Sequence, residues 1–158
     1  MVNKYKNTIE AVASVLVVNQ ENKILLIKSH KWGNYYLVPG GHIEINEGIM
    51  NAAKREGEEE TGLKLKPLYC VNIGELINDA SFYREAHLIY FHIVCEPLSE
   101  KINLQKDELR EFIWIDPREA LKLNLTRGVK QTIKNFINGV RINITSHTSK
   151  KWLSTARK

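Results

Sequence analysis

The sequence predicts an α/β (α+β) sandwich in which a mixed β-sheet lies between helices. Short β-rich runs alternate with segments of helical periodicity, and the chain has neither internal repeats nor a linker-like stretch. With 158 residues and 43% hydrophobic content, the chain can bury one good core. We therefore expect a single domain over residues 1–140, followed by a separate tail over residues 141–158.

The predicted strands follow one another along the chain. Residues 11–19 and 23–29 flank a polar turn and are typical of a β-hairpin. Residues 35–38 form a short strand that runs into the loop Pro39-Gly40-Gly41. Three further β-rich runs complete the expected sheet: 67–76, 86–95 and 111–116.

Three helices are expected. The first runs from about Ile49 to Glu60 and ends at Gly62, a residue type that often takes the left-handed conformation past a helix. A second, short helix begins at Pro117, because proline is favoured at the first helical position. The third follows Gly128 and is indicated by apolar residues at helical spacing: Val129, Ile133, Phe136, Ile137 and Val140.

Four glutamates crowd the last turn of the first helix: Glu56, Glu58, Glu59 and Glu60. A helix C-terminus carries partial negative charge, and like charges three or four residues apart repel, so this crowding destabilises a purely structural helix. Glu56, Glu59 and Glu60 share one face, whereas Glu58 points roughly 100° to 200° away and is expected to be solvated. Because oxygen-only sites rich in carboxylates suit Mg²⁺ or Mn²⁺, the pattern predicts a divalent-cation site.

The spacing around these glutamates resembles the signature box of the Nudix (MutT-like) hydrolases. Gly41 is followed after five residues by Glu47, and after seven more by Arg-Glu-Gly-Glu-Glu-Glu-Thr-Gly-Leu. One position departs from the family pattern, because Gly57 stands where the family has a bulky aliphatic residue. Helical glycine costs about 1 kcal/mol relative to alanine and would leave the core one side chain short. We therefore expect Gly57→Ala to raise the melting temperature, unless the helix backbone packs closely on its neighbour there.

The resemblance covers roughly residues 8–140 and implies an α/β/α sandwich that binds a divalent cation, Mg²⁺ or Mn²⁺. It implies metal ligation by Glu56, Glu59 and Glu60, with the carbonyl of Gly40 completing the shell. It also implies an ion pair between Arg55 and Glu47 that orients the helix against its loop. An ordinary contact between Arg55 and Glu59, four residues apart, is compatible with that pair.

The general base is left open between two sources. The resemblance allows either a glutamate of the box, Glu56 or Glu59, or a carboxylate from a later loop. Glu108, just ahead of the last strand, is placed where such a loop acid is found, although it also fits an ordinary surface residue in a charged run. Glu85 is a weaker candidate for the same role.

Four residues are candidates for contacts with a substrate. Trp32 and Tyr36 precede the glycine loop, where an aromatic ring either stacks on a base or packs against the domain. Arg84 either meets a phosphate or is solvated. Asn124 falls in the region where some relatives read the edge of a nucleobase.

The distribution of charge and the number of cysteines indicate which partners the protein binds and in which compartment it resides. Residues 120–158 hold nine Lys and Arg and no acid, which fits either a nucleic-acid contact or, as we favour, a solvated basic helix and a flexible tail. Cys70 and Cys95 lie in hydrophobic runs and are expected to be reduced core thiols.

His87 and His92 are expected to be half-buried strand residues, not zinc ligands. No secretory signal or membrane-length apolar run is visible, so we expect a cytoplasmic protein.

The expected activity is metal-dependent hydrolysis of a nucleoside diphosphate linked to another moiety. A nucleoside triphosphate, ordinary or oxidised, is the leading substrate, and it would give a nucleoside monophosphate and pyrophosphate. ADP-ribose or another linked diphosphate is the alternative within the class. An RNA-directed (decapping or RNA-binding) protein and a non-catalytic nucleotide sensor are alternatives of other classes. The expected partner is a small-molecule nucleotide, not a membrane or a nucleic acid. The sequence is compatible with a homodimer.

Overall fold

The computed structural model describes residues 4–149, which form seven strands, three α-helices and a short 3₁₀ turn at His30–Trp32. The helices are α1 (Ile49–Thr61), α2 (Pro117–Ala120) and α3 (Arg127–Ile137). The strands are β1 (Ile9–Val17), β2 (Ile24–Ser29), β3 (Tyr36–Leu37), β4 (Gly40–His42), β5 (Leu65–Ile77), β6 (His87–Pro97) and β7 (Leu109–Ile115).

The strands form two sheets where the sequence predicted one. The first sheet has the order β4-β1-β6-β5, with β1 parallel to β6 and the other pairs antiparallel. The second sheet has the order β3-β2-β7 and is antiparallel. The mixed character of the first sheet and the flanking helices confirm the predicted fold class. Gly40 and Gly41 were predicted to lie in a loop. In the structure, Gly40–His42 instead forms an edge strand that pairs with β1.

Two hydrophobic clusters lie on opposite faces of the first sheet. One cluster lies between α1 and the odd-numbered residues of β1, among them Ala13, Val15 and Val17. The other lies between the two sheets and contains Leu16 of β1 with Ile133 of α3. Because side chains alternate between the two faces of a strand, β1 supplies both clusters and is central to the sandwich.

Ile142 and Ile144 extend the domain beyond the predicted boundary at residue 140. The N–H of Ile142 donates to the carbonyl of Cys70 at 2.8 Å, and both isoleucines pack against the α1 cluster. These contacts bury apolar surface, so residues 142–144 continue the domain instead of beginning a free tail. The remainder of the predicted tail, residues 150–158, lies outside the described residues.

The absence of a side chain at Gly57 leaves no gap in the core, because neighbouring side chains already fill the space beside it. It lies buried on the face of α1 that packs against β1 and β5. A Cβ added there would come within 2.6 Å of a Val15 methyl carbon and 2.7 Å of a Leu65 methyl carbon. The expectation that Gly57 leaves a gap in the core is therefore wrong. Glycine allows the helix backbone to approach the sheet closely.

We accordingly expect Gly57→Ala to lower the melting temperature. Overpacking a core costs about 1–3 kcal/mol, which outweighs the gain of about 1 kcal/mol from removing a helical glycine. Differential scanning calorimetry of Gly57→Ala beside Lys54→Ala measures the effect, because Lys54 is exposed on the same helix. A higher melting temperature for Gly57→Ala would contradict the close packing.

Candidate active site

The last turn of α1 lies against the loop that contains Gly40 and Gly41. Gly62 ends the helix with φ 73°, and its N–H donates to the carbonyl of Glu58 at 2.9 Å. Two residues before Gly62, the carboxylate of Glu60 accepts a hydrogen bond from the N–H of Gly40 at 2.9 Å. The helix end and the glycine loop are thus joined at a carboxylate.

Gly41 provides the space that Glu56 needs. A Cβ added at Gly41 would lie 2.5 Å from the carboxyl carbon of Glu56. A larger residue at this position would displace the Glu56 carboxylate, so Gly41 allows β4 to run beside it in its present position.

Arg55 connects the helix to the segment that precedes it. Its Nε and Nη2 donate to the two carboxylate oxygens of Glu47 at 2.7 Å and 2.9 Å. Nη2 also donates to the carbonyl of His42 at 3.0 Å, and Nη1 to Glu56 at 2.8 Å. A weaker contact of 3.4 Å reaches Glu59. The structure therefore contains both the predicted Glu47 pair and the predicted contact four residues along the helix.

The Glu60 carboxylate is buried without a cationic partner. The residue is 6% exposed, and it makes no ion pair within residues 4–149. Burial raises its pKa to about 8 and the negative charges of Glu56 and Glu108 act in the same direction, while the Gly40 N–H and the positive charge of Lys31 oppose them. Burial also raises the pKa of Glu56, against the effect of Arg55. Burial is the main cause of both shifts, and the neighbouring carboxylates add to it.

Glu58 has a structural contact in place of the solvated position we expected. Its carboxylate accepts a hydrogen bond from the N–H of Leu65 at 2.9 Å, at the start of β5. The side chain is 22% exposed and lies 3.9 Å from the ammonium of Lys64. The tight turn at Gly62 brings β5 back alongside the helix end, so Glu58 ties the two elements together.

The donor set fits Mg²⁺ or Mn²⁺, although the carboxylates are not drawn together around one point. Among the described residues, no three His, Cys, Asp or Glu side chains form a ready metal-binding group. Glu56, Glu59 and Glu60 nevertheless share the last turn of α1, and Gly40 lies against Glu60. Such oxygen donors, one of them buried without a cation, match a hard divalent ion.

Glu108 lies near the glutamates of α1, at the start of β7. Its carboxylate pairs with the ammonium of Lys31 at 3.2 Å. Its charge contributes to the raised pKa values of Glu56 and Glu60, so the three carboxylates share one electrostatic environment. Glu85 is exposed in the loop between β5 and β6. The assignment of the general base stays a prediction.

A cavity of about 130 Å³ adjoins the glycine loop, between the first sheet and the segment that includes β3. Its walls are largely apolar, and the rings of Trp32 and Phe82 stand together with centroids 4.4 Å apart. Its floor includes the polar side chains of Ser14, His92 and Thr126. A flat organic group with a few polar atoms suits this lining.

Of the four predicted substrate contacts, Trp32 alone lines this cavity. Tyr36 turns away and donates its hydroxyl hydrogen to Glu111 at 2.8 Å, with the ammonium of Lys28 over its ring. Asn124 is exposed and donates to the carbonyl of Asn34 at 3.2 Å. Arg84 is bound elsewhere, as described next. The substrate roles of Tyr36, Arg84 and Asn124 have no support in this arrangement.

Arg84 and His42 meet on a buried carboxylate that our sequence reasoning missed. Both nitrogens of the Arg84 fork donate to Glu10 at 2.7 Å, and His42 Nε2 lies 2.7 Å from the same residue. The ring of His42 stacks on Tyr5 at 4.1 Å. Burial would raise the pKa of Glu10, but Arg84 and His42 hold it below its usual range. The sequence does contain a signal for this site. Glu10 is a charged residue that alternates with Ser14 and Leu16 on one face of β1, where a buried apolar residue would be expected.

The remaining sequence expectations have mixed outcomes. Cys70 and Cys95 are free and buried, as expected for core thiols. His92 is only 5% exposed, so it is more buried than expected, while His87 pairs with Glu75 at 2.9 Å. Within residues 4–149 no helix is both long and apolar enough to span a bilayer.

The comparison with protein families decides where this fold belongs. The NUDIX domain model matches residues 8–136, which is most of the chain. The chain belongs to the Nudix family. The matched range includes the glutamates of α1, the glycine loop and Arg55.

Curated Nudix relatives have several different names. The chain is 37% identical over 128 residues to the m7GpppN-mRNA hydrolase NUDT17 of Xenopus laevis, covering 71% of this chain and 43% of that protein. It is 28% identical over 109 residues to diphosphoinositol polyphosphate phosphohydrolase 2 of Rattus norvegicus, covering 66% and 55%. Phosphatase NudJ of Shigella boydii is 27% identical over 137 residues, covering 82% and 85%. The chain thus spans about half the length of the first two relatives.

Solved structures agree with the fold. The MutT protein of Methanosarcina mazei superposes with a TM-score of 0.71 at 18% identity, covering 83% of this chain and 94% of that one. The MutT Nudix hydrolase of Burkholderia pseudomallei gives 0.70 at 20% identity, covering 82% and 98%. At these identities the likeness establishes the fold alone.

We expect Arg55→Lys to destabilise the domain by about 1–3 kcal/mol, because a lysine cannot reproduce several charge-assisted hydrogen bonds at once. Chemical denaturation measures this loss. The exchange Lys54→Arg, at the exposed neighbouring position, is the matched control and should be nearly neutral. Equal stability of Arg55→Lys and the parent chain would contradict the role of Arg55 in joining loop and helix.

Proposed function

We propose that this Nudix protein is a metal-dependent pyrophosphohydrolase of nucleoside diphosphates linked to another moiety, with nucleoside triphosphates as its leading substrates. The products are then a nucleoside monophosphate and pyrophosphate. The observation that carries the proposal is the buried carboxylate of Glu60, which has no cationic partner within residues 4–149 and is hydrogen-bonded to Gly40, a residue that lines the apolar cavity. A cation-binding end and a base-sized cavity thus adjoin each other.

The carboxylates of Glu56, Glu59 and Glu60, with the Gly40 carbonyl, would hold Mg²⁺ or Mn²⁺. When bound, such an ion neutralises phosphate charge and lowers the pKa of a water molecule. The chain's own residues supply the positioning. Arg55 holds Glu56 and the carbonyl of His42, so the helix and the glycine loop keep one relative placement. The Gly40 N–H orients Glu60.

Glu108 and Lys31 supply two further groups at the cavity mouth. The Lys31 ammonium is 48% exposed and lines the cavity, so it can meet a phosphate oxygen. Displacement of Lys31 toward a phosphate would free the Glu108 carboxylate to accept a proton from attacking water. Glu56 and Glu59 are the alternative bases.

The apolar cavity supports a nucleoside as the bound group. Trp32 and Phe82 offer aromatic faces on which a base can stack, while the polyphosphate stays with the carboxylate-bound cation. Aromatic stacking tolerates several bases, so oxidised as well as ordinary triphosphates fit this site. ADP-ribose and other linked diphosphates carry the same anhydride and remain the alternative within the class.

An mRNA cap is the second candidate substrate. It is favoured by the 37% identity to a protein named m7GpppN-mRNA hydrolase. The cap analogue m7GpppG contains the same kind of anhydride as the nucleotides above, and it belongs in the same assay. We place the protein in the cytoplasm, as a monomer or homodimer.

Glu60→Gln should lower kcat by several orders of magnitude while preserving the fold. Glutamine can still accept the Gly40 hydrogen bond, but it brings no charge to a cation. The measurement is phosphate release with Mg²⁺ or Mn²⁺ across triphosphates, 8-oxo triphosphates, ADP-ribose and m7GpppG, with coupling enzymes that reveal pyrophosphate. Mg²⁺ should also raise the melting temperature of the parent chain and not that of Glu60→Gln.

Glu100→Gln is the matched control for this experiment, because Glu100 is exposed and distant in sequence from the box. It should leave turnover and the Mg²⁺-dependent shift unchanged. Retention of activity within tenfold by Glu60→Gln would refute the assigned role. Absence of metal-dependent turnover for every substrate, with nucleotide binding retained, would favour the sensor instead.

Removal of residues 150–158 should leave nucleotide hydrolysis intact. This truncation retains Ile142 and Ile144, which pack on the α1 cluster, so the domain core is preserved. Electrophoretic mobility shifts with RNA at low and high salt test the RNA-directed alternative. Salt-sensitive RNA binding that is lost on truncation would support that alternative.

A further inference from the structure

Three polar side chains form a row across the first sheet. Ser14 pairs with Gly40 on one side and with His92 on the other, and His92 pairs in turn with Asn72. Residues directly opposite each other in a sheet point to the same face. The row therefore leads from the glycine loop of the active site, along the cavity floor, to the space beneath α3.

Hydrogen-bond accounting determines which nitrogen of His92 carries the proton. Thr132 Oγ1 lies 2.9 Å from the carbonyl of Gly128, which can only accept, and we assign the single hydroxyl hydrogen of Thr132 to this bond. The same oxygen lies 2.6 Å from His92 Nδ1 and 3.0 Å from Asn72 Nδ2. With its own hydrogen assigned to Gly128, this oxygen accepts from both nitrogens. His92 Nδ1 is thus the protonated nitrogen.

His92 Nε2 is consequently left as a hydrogen-bond acceptor. Burial lowers the pKa of His92 to about 3, so the ring is neutral and carries one proton, on Nδ1. No hydrogen bond to Nε2 occurs within the described residues. In the same part of the chain, no side-chain nitrogen or oxygen is both sealed from solvent and unpartnered. Because His92 lines the cavity, Nε2 is accessible from it.

The other polar groups on the cavity floor are less selective than His92. The hydroxyls of Ser14 and Thr126 can rotate to donate or to accept a hydrogen bond. His92 Nε2 cannot adapt in this way, because Thr132 binds Nδ1 of the ring and is itself hydrogen-bonded to Asn72. An acceptor on the ligand facing Nε2 would leave two lone pairs opposed and both groups without a partner.

We propose that His92 is a specificity-determining residue whose Nε2 accepts a hydrogen bond from an exocyclic amino group of the substrate's base. The inference rests on the proposed function, since it assumes that a nucleotide occupies the cavity. Bases that carry an amino group at the buried edge are then preferred over analogues that lack it. Sites built around a hydrogen bond discriminate strongly, because the analogue leaves the buried polar group unpaired.

The experiment compares nucleoside triphosphates that differ by one amino group. The three pairs are ATP and its 6-deamino analogue, GTP and its 2-deamino analogue ITP, and CTP and its 4-deamino analogue. We measure kcat/KM for each member with metal, and Kd by calorimetry in EDTA. At least one pair should favour the amino member by about tenfold or more in both quantities.

Variants at two positions separate a specificity role from a structural one. His92→Phe should abolish the preference. Thr132 does not line the cavity. Thr132→Val should nevertheless reduce the preference, because the His92 ring is then no longer held with its proton on Nδ1. Thr132→Ser retains the hydroxyl and should keep the preference. Circular dichroism and melting temperatures check that each variant is folded.

A measurement on the parent chain keeps the inference testable if these variants fail to fold. The ¹⁵N shifts of His92 should identify a neutral ring protonated at Nδ1, and the Nε2 signal should move when the preferred amino nucleotide binds. Protonation at Nε2 would overturn the inference. Equal kcat/KM and Kd within all three pairs would also overturn it, while turnover itself would leave the proposed function standing. Absence of both binding and turnover for every nucleotide would refute both.

Discussion

The guanidinium of Arg55 is the contact on which the rest of the active site depends. It binds Glu47 through two hydrogen bonds, the carbonyl of His42 through a third and Glu56 through a fourth. These partners come from the segment before α1, from strand β4 and from α1 itself. Without this cation, the clustered carboxylates would repel one another, and the hydrogen bond from Gly40 to Glu60 would be left to join the glycine loop to the helix.

The first sheet connects that charged end to the cavity. Gly40, Ser14, His92 and Asn72 are successive members of one row, so the glycine loop and the cavity floor share a rigid support. Glu10, two residues before Val12 on β1, holds Arg84 and thereby ties the loop between β5 and β6 to the same sheet. The glycine loop, the cavity floor and the loop between β5 and β6 are thus held by one set of strands.

Sequence reasoning located the helices, most strands and the charged cluster, because these follow from local spacing and from end signals such as Gly62. It failed where the answer depended on contacts between distant segments. Gly57 was taken as a gap, yet methyl groups of Val15 and Leu65 fill the space beside it. Arg84 was a candidate for contact with a phosphate, but its side chain donates two hydrogen bonds to Glu10, 74 residues away in the sequence.

The sequence by itself determined the family and the positions of Glu56, Glu59 and Glu60, because the helical period places them on one turn without reference to the rest of the chain. Only the tertiary structure decided that Glu60 is buried and that His92 presents an acceptor to the cavity. Both depend on strand register and on how closely the layers pack. A shift of one residue in register would turn His92 to the opposite face of the sheet.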